Sequence, residues 1–122
     1  SYAEAYYNRG LVYDMNKSDH VRGITDFTKA LDIKGDSGEV HLARGAAYLK
    51  EGEYDDAIDD FTKAIELGID KDGQIYYNRA VAYFYKGEYD KSWADVKKAE
   101  ELGCAVYPAF LKNLEKASGK KR

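Results

Sequence analysis

The sequence predicts an all-α fold built from three consecutive pairs of helices, and three observations support this prediction. A block of small and large residues recurs at intervals of 34 or 35 residues. Within each block, apolar residues follow the spacing of an amphipathic helix. Turns that contain glycine, at residues 51–53 and 86–88, divide the second and third units in half. Self-similarity at such a period is typical of a helical solenoid.

Each unit carries one group of recurring residues on its first helix and another on its second. The first helix has a small residue followed three positions later by tyrosine: Gly10 and Tyr13, Gly45 and Tyr48, Ala80 and Tyr83. The second helix has an aspartate, a large apolar residue and an alanine: Asp26, Phe27 and Ala30, then Asp60, Phe61 and Ala64, then Asp95, Val96 and Ala99. Small residues on both helices predict a close crossing, and the large residues fill the space beside it.

The periodicity also predicts where the helices and repeat units lie. We expect six helices, at residues 3–16, 21–33, 38–50, 54–67, 73–86 and 89–102. A seventh helix is predicted to begin near Pro108, because proline is tolerated in a first helical turn, and to end at Gly119. The chain is then divided into repeat units at 3–35, 38–71 and 73–105, a capping helix at 106–118 and a basic tail at 119–122.

Composition limits the class of protein to which the chain can belong. The 122 residues include 19 basic and 22 acidic side chains, a net charge of −3, which argues against binding of nucleic acid through its phosphates. No apolar run approaches the roughly 20 residues that cross a bilayer, so a membrane partner is not expected. The single cysteine, Cys104, and the lack of a signal-like apolar run lead us to expect a cytoplasmic protein.

Residue types that often carry catalysis or bind metals are isolated in this sequence. His20 and His41 have no set of Cys or carboxylate residues at metal-ligand spacing. Cys104 has no neighbouring residues that resemble a nucleophile and base, and no phosphate-binding glycine-rich loop is present. We therefore expect a non-enzymatic protein with no catalytic residue, no metal and no cofactor.

The repeated pattern resembles the tetratricopeptide repeat over essentially the whole chain. The second unit carries the family's large, small and aromatic positions as His41, Gly45, Tyr48, Ala57, Phe61 and Ala64. The proline that often closes a repeat in the family is absent from all three units. The resemblance implies a right-handed α-α superhelix of three helix-turn-helix units plus a capping helix. It also implies that the first helices line a concave groove that binds peptides or partner proteins.

A second apolar stripe on the first helices predicts the residues of this groove. In the third unit, Tyr76, Ala80 and Tyr83 face the partner helix, while Tyr77 and Phe84 lie about 90° around the same helix. Helix pairing needs one stripe only, so the second is either a binding surface or is buried by the next part of the superhelix. Together with neighbouring amides, the predicted groove comprises Tyr7, Asn8, Leu11, Leu42, Ala46, Leu49, Gln74, Tyr77, Asn78, Val81 and Phe84.

Polar residues beside the predicted groove indicate what kind of ligand it would hold. Asn8 and Asn78 can pair with the backbone of an extended peptide. The acidic residues Glu4, Asp14 and Glu39 would favour a Lys or Arg in that peptide. We therefore expect a short peptide with apolar or aromatic anchors and a basic residue.

One subclass of the family can be compared position by position. Tetratricopeptide domains that bind the acidic C-terminal tails of heat-shock chaperones use a carboxylate clamp of Lys, Arg and Asn side chains. The matching positions here are Tyr7, Leu11, Ala43, Gln74 and Asn78, none of which is a cation. The comparison predicts that chaperone tails are not ligands of this chain.

Arginine and aspartate recur together in every unit, as Arg9 with Asp26, Arg44 with Asp60 and Arg79 with Asp95. The arginines could form a row of cations for an anionic ligand, or each could pair with the aspartate of its own unit. Recurrence of both partners favours the ion pair.

The sequence thus predicts a scaffold or adaptor that binds a peptide segment of a partner protein. The alternative is self-association, in which the groove or a terminal edge meets another copy and forms a homodimer. An RNA-binding helical repeat of the pentatricopeptide kind has a similar period, but the acidic charge balance argues against it.

Overall fold

A computed structural model describes residues 1–16 and 19–121 of the chain. These residues contain seven helices and no strand: α1 (Tyr2–Asn16), α2 (His20–Lys34), α3 (Gly38–Lys50), α4 (Tyr54–Glu66), α5 (Gly73–Lys86), α6 (Tyr89–Glu101) and α7 (Pro108–Ser118). The predicted all-α helical-repeat solenoid is confirmed, and α7 begins at the proline expected to start it. Arg122, the last residue of the predicted basic tail, lies outside the described residues.

The helices pack in the order in which they follow one another along the chain. Within the units, α1 packs on α2, α3 on α4 and α5 on α6. Between the units, α3 packs on α2, α5 packs on α4, and α7 packs on α6. The first helices α1, α3 and α5 also contact one another in sequence, so they lie side by side along one surface of the solenoid.

The close crossing within each unit depends on a matched pair of residues. A Cβ atom added to Gly10 would lie 2.7 Å from Phe27 Cε1, and one added to Gly45 would lie 2.9 Å from Phe61 Cδ1. The third unit instead has Ala80, whose Cβ atom is accommodated because Val96 replaces phenylalanine on the facing helix. The residue at the crossing and the residue opposite it therefore vary together in size.

The apolar core is divided unequally between the two ends of the solenoid. A large cluster joins the second and third units to α7 and includes the fully buried Phe61, Ile75 and Leu114. A smaller cluster around Phe27 and Val40 joins the first unit to α3. The C-terminal part thus buries more apolar surface than the N-terminal unit, and burial of such surface is the main source of stability.

Local signals fix the helix ends that surround the concave surface. The Asp72 carboxylate accepts a hydrogen bond from the Gln74 backbone N–H at 3.0 Å and caps α5. At the other end of α5, Gly87 adopts the left-handed conformation with φ 87°, which glycine reaches without a steric penalty. None of the helices in residues 1–16 and 19–121 has the length and apolar character needed to cross a membrane.

Candidate functional site

A groove of about 360 Å³ lies along the first helices of the three units. Its lining comes from α1 (Tyr7, Leu11, Asp14 and Met15), from α3 (Glu39, Leu42, Ala43 and Ala46), and from α5 with its cap (Asp72, Gln74, Ile75 and Asn78). Six of these residues belong to the groove predicted from the sequence: Tyr7, Leu11, Leu42, Ala46, Gln74 and Asn78.

The floor of the groove is apolar and only partly covered by the rest of the protein. Leu42 and Ala46 are half-buried and pack against the large apolar cluster, while Leu11 is half-buried against the smaller one. The same side chains therefore support the core on one side and face the groove on the other. An apolar group placed in the groove would remove this remaining surface from water.

Two side-chain amides on α5 provide hydrogen-bonding groups at one side of the groove. Gln74 Nε2 donates to Asn78 Oδ1 at 2.9 Å, which holds the two side chains together along one face of the helix. No side chain in the described part of the chain accepts a hydrogen bond from the Asn78 amide nitrogen. That nitrogen can donate to the backbone carbonyl of an extended ligand.

The charged residues in the groove lining are all acidic: Asp14, Glu39 and Asp72. Asp14 is buried, lies within hydrogen-bond distance of His20 Nδ1, and accepts a hydrogen bond from Lys50 Nζ at 3.4 Å. Burial, with a smaller contribution from the negative charge of Glu39, raises the pKa of Tyr7. The Tyr7 phenol therefore keeps its proton and can donate a hydrogen bond.

The second apolar stripe has a different environment on α5, where α7 covers it. The Tyr77 and Phe84 rings lie 5.6 Å and 5.4 Å from the Phe110 ring between centroids. The Tyr77 hydroxyl oxygen also accepts a hydrogen bond from the Tyr107 backbone N–H at 3.1 Å. The stripe was expected to be either a binding surface or internal packing. On α5 it is internal packing.

Three other residues of the predicted groove also lie outside the lining of the 360 Å³ groove. Val81 and Leu49 are half-buried against the large apolar cluster. Asn8 is exposed on α1. The structure thus brings together the predicted residues of α1, α3 and the first turns of α5, and separates them from the last turns of α5.

Three lining residues were not singled out from the sequence: Met15, Asp72 and Ile75. Met15 lies one helical turn beyond Leu11, so the spacing of the stripe could have identified it. Asp72 precedes the first turn of α5, where an N-cap residue was to be expected. Ile75 is fully buried, and the sequence contains no signal that distinguishes it from a core residue.

The recurring arginine and aspartate residues form ion pairs within their units, as predicted. Arg44 Nε and Nη2 donate to the two Asp60 carboxylate oxygens at 2.7 and 2.8 Å. Arg79 makes the same pair with Asp95, with both distances 2.8 Å, and hydrogen bonding to that carboxylate raises the pKa of Arg79. The third pair joins Arg9 to Asp26. These guanidinium groups are committed to internal carboxylates, so they do not form a row of cations for a ligand.

The two histidines are also held by carboxylates. His41 is buried, with Nδ1 2.8 Å from an Asp60 oxygen and Nε2 3.2 Å from an Asp36 oxygen. This agrees with the assignment of His41 to one of the large positions of the repeat. Within the described ranges, no three His, Cys, Asp or Glu side chains are grouped so that they could hold a metal ion.

Family comparisons agree with the repeat structure. One sequence profile of the tetratricopeptide repeat matches residues 3–37 and 73–102, and a second matches residues 38–68. Together the matches cover most of the chain. This chain belongs to the tetratricopeptide repeat family. The tetratricopeptide repeat is a protein-interaction fold, and the chain shares that general character.

Curated relatives match the chain over part of its length. It is 40% identical over 63 residues to DnaJ homolog subfamily C member 3 from Bos taurus, and 40% identical over 63 residues to the Homo sapiens protein of that name. The matched stretch is 51% of this tetratricopeptide chain but only 12% of either relative. The chain therefore corresponds to a small part of those proteins.

Solved tetratricopeptide structures share the fold over nearly the whole chain. The first TPR of Spaghetti (RPAP3), bound to the HSP90 peptide SRMEEVD, has a TM-score of 0.81 and 21% identity, with 97% of this chain and 91% of that chain covered. The second TPR domain of human RPAP3, in complex with the HSP70 peptide SGPTIEEVD, has a TM-score of 0.79 and 23% identity, with 97% and 96% covered. The Arabidopsis OM64 TPR domain has a TM-score of 0.75 and 23% identity, with 96% and 91% covered.

The position-by-position comparison excluded acidic chaperone tails as ligands, and this exclusion is wrong. The similar RPAP3 domains are bound to the peptides SRMEEVD and SGPTIEEVD of HSP90 and HSP70, so this fold accommodates such tails. The exclusion depended on the absence of cations at five positions. Three of those residues, Tyr7, Gln74 and Asn78, nevertheless carry a hydroxyl or amide that donates hydrogen bonds, and such groups also bind carboxylates.

Proposed function

We propose that this chain is a non-enzymatic interaction module, a scaffold or adaptor, that holds a peptide segment of a partner in the groove along α1, α3 and α5. The observation that carries this proposal is the groove itself. It combines about 360 Å³ of space, a half-buried apolar floor and amide groups along one side. Concave sites with an apolar lining and a few polar groups are where proteins usually hold ligands.

The lining suggests how an extended peptide would lie. Its apolar side chains would cover Leu11, Leu42 and Ala46 on the floor. Its backbone would pair with the amides of Gln74 and Asn78, which can bond to both N–H and C=O groups without selecting a side chain. Specificity would then come from the apolar anchors and from charge around the groove.

The charges give a reason to test ligands of both signs. Asp14, Glu39 and Asp72 support a peptide with Lys or Arg beside its anchor. The Tyr7 hydroxyl and the α5 amides support hydrogen bonds to a carboxylate, as in an acidic tail. The cytoplasmic location and self-association inferred from the sequence stay predictions.

The groove can be tested by filling it. A fluorescent SRMEEVD peptide and a counterpart in which every acidic residue is lysine, SRMKKVK, would be titrated with the protein while anisotropy is measured. Ala46→Phe places a ring over the floor of the groove, whereas the matched Ala94→Phe places one on an exposed face of α6. We expect Ala46→Phe to weaken whichever peptide binds by at least about tenfold, equivalent to about 1.4 kcal/mol. Ala94→Phe should leave affinity unchanged.

Circular dichroism of both variants provides the control for folding. If both variants keep the helicity and melting temperature of the parent and bind equally well, the groove is not the binding site. If neither peptide binds the parent, ligands are taken from a phage-displayed peptide library instead. The library is selected on the parent and counter-selected on Ala46→Phe. Selected peptides that bind both proteins equally would also contradict the proposal.

A further inference from the structure

The connection that follows the second helix differs between the first unit and the other two. Helices α4 and α6 end at Glu66 and Glu101, and the chain then turns at Gly68 and Gly103, whose φ angles are 103° and 86°. The first unit has Lys34 at this position, and a residue with a Cβ atom disfavours that backbone conformation. Helix α2 therefore continues through Lys34 and turns only at the glycine that follows.

The turns of the second and third units are each followed by an apolar residue that folds back on its own unit. Ile69 and Cys104 donate their backbone N–H groups into the last turn of the preceding helix, both at 2.9 Å. A Cβ atom added to Gly38, the first residue of α3, would lie 2.7 Å from Ile69 Cγ1. One added to Gly73, the first residue of α5, would lie 2.6 Å from Cys104 Cβ. These two side chains thus fill the corner between the start of the first helix and the end of the second.

In the first unit, the same corner is a pocket of about 210 Å³. Gly35 stands at the position of Ile69 and has no side chain to place there. Ala3 takes the place of Gly38, and its Cβ atom is accommodated because no side chain of the described residues fills the corner. The apolar walls come from buried or half-buried residues of three helices: Ala3, Tyr7, Ala30 and Val40.

The pocket is continuous with the groove along the first helices. Tyr7 and Glu39 line both spaces, so a chain lying in the groove can reach the pocket without leaving the surface. Two carboxylates, Glu4 and Glu39, and one amine, Lys34, line the pocket, whereas the charged residues of the groove are all acidic. Charge complementarity therefore favours a cation beside whatever enters the pocket.

We propose that this pocket holds one aliphatic side chain of a peptide, an isoleucine, leucine or valine, with a positive charge next to it. The inference rests on the proposed function, since the rest of the peptide would continue into the groove. An aliphatic group fits because the same corner of the second unit encloses the side chain of Ile69. The pocket would fix the position of the peptide along the groove, because the amides of α5 bond to its backbone without selecting a side chain.

Small probes test the pocket without a known peptide ligand. L-Isoleucine amide, which carries the aliphatic group and a positive amine, is titrated into the ¹⁵N-labelled protein while ¹H–¹⁵N spectra are recorded. The N–H signals of Glu39 and Val40 should shift to saturation with a dissociation constant on the order of 1 mM, as expected for so small a ligand. L-Alanine amide lacks the aliphatic group, and N-acetyl-L-isoleucine carries a negative charge instead. Both should bind at least about tenfold more weakly, and equal or tighter binding of either would overturn the proposal.

A graft that fills the corner locates the binding of isoleucine amide. Residues 34–37 are replaced by a copy of residues 68–72, together with Ala3→Gly, so that the first unit acquires the turn and the isoleucine of the second. A control graft carries Ile69→Ser in the copied segment only. The isoleucine graft should lose binding and melt at least about 3 °C above the control graft, because a filled pocket buries more apolar surface. The control graft should bind as the parent does.

Binding of isoleucine amide to both grafts as to the parent would place it elsewhere and overturn the proposal. Circular dichroism checks that the grafts fold, and the probe titrations of the parent decide the matter if they do not. Ala46→Phe separates this inference from the proposed function, because Ala46 lines the groove but not the pocket. It should leave the binding of isoleucine amide unchanged while it weakens peptides that lie in the groove. Loss of isoleucine amide binding in Ala46→Phe would show that the probe lies in the groove, which also contradicts the proposal.

Discussion

The first and last of the first helices, α1 and α5, carry the same apolar stripe in different surroundings. On α1, Tyr7 and Leu11 are half-buried and line an open groove. On α5, Tyr77 is buried and Phe84 is half-buried, and both rings pack on Phe110 of α7. The repeated sequence is therefore not enough to distinguish a binding surface from a core.

What differs is the next element along the solenoid. The third unit is followed by a short helix that packs over its stripe, whereas the stripe of α1 faces the space between the first helices. An apolar position in a repeat protein thus acquires its role from its neighbour as well as from its place in the repeat. Paired substitutions at equivalent positions measure this difference directly.

The largest expected difference is between Tyr77→Ala and Tyr7→Ala. Tyr77→Ala removes a buried ring from the contact with α7 and a hydroxyl that accepts from Tyr107, and should lower the free energy of unfolding by about 3–4 kcal/mol. Tyr7→Ala removes a half-buried ring beside the groove and should cost about 1–2 kcal/mol. Urea denaturation measures both. Equal losses would show that α7 does not make the two stripes different.

A second pair compares the ion pairs of the outer units. Arg79→Ala leaves the buried Asp95 carboxylate without its guanidinium partner and should cost about 2–4 kcal/mol. The Arg9 side chain is 59% exposed, so solvent screens its pair with Asp26 more strongly, and Arg9→Ala should cost less than Arg79→Ala. The same denaturation experiment applies. A larger loss for Arg9→Ala would contradict the assignment of the more protected pair to the third unit.

The crossing residues allow the first unit to be made like the third. Gly10→Ala should destabilise the protein by about 1–2 kcal/mol, although alanine favours helices, because the new Cβ atom would meet the Phe27 ring. In a Phe27→Val background, the same change should be neutral or stabilising, as Ala80 opposite Val96 suggests. A double-mutant cycle measures the coupling. Equal effects of Gly10→Ala in the two backgrounds would show that the two positions are independent.

The smallest expected effect is at the junction of the first and second units. A hydrogen bond from His41, then one from Lys63, lowers the pKa of Asp36. A carboxyl group with a lowered folded-state pKa adds stability above its unfolded-state pKa, and this stability is lost as the pH falls through the folded-state value. Asp36→Asn should therefore slightly lower the melting temperature at neutral pH, and the difference from the parent should disappear on acidification. A difference that is constant with pH would exclude this ionisation as its cause.

The sequence was sufficient for features that depend on local spacing. The helices follow from apolar periodicity, the start of α7 follows from Pro108, and the ion pairs follow from recurrence of Arg and Asp in register. These features lie within one helix or one helix pair, where positions three or four residues apart share a face.

Features that depend on packing between distant elements could not be obtained in this way. The capping helix was predicted, but its contact with Tyr77 and Phe84 depends on where the chain returns after residue 107. Likewise, Ile75 and Asp72 reach the groove only because three helices from different units lie side by side. The chaperone-tail prediction failed because a missing set of cations says nothing about other donors in the same groove.

The hydrogen bond between the Tyr77 hydroxyl and the Tyr107 N–H has a consequence for the order of events during synthesis. Tyr107 is the residue before α7, and α7 has 11 residues, which is too short for a stable helix on its own in water. The helix therefore forms only on a completed third repeat. Until residues 108–118 have left the ribosome, the Tyr77 and Phe84 rings lack the cover that Phe110 of α7 provides. A nascent chain at that stage is exposed to aggregation, and the emergence of α7 ends that exposure.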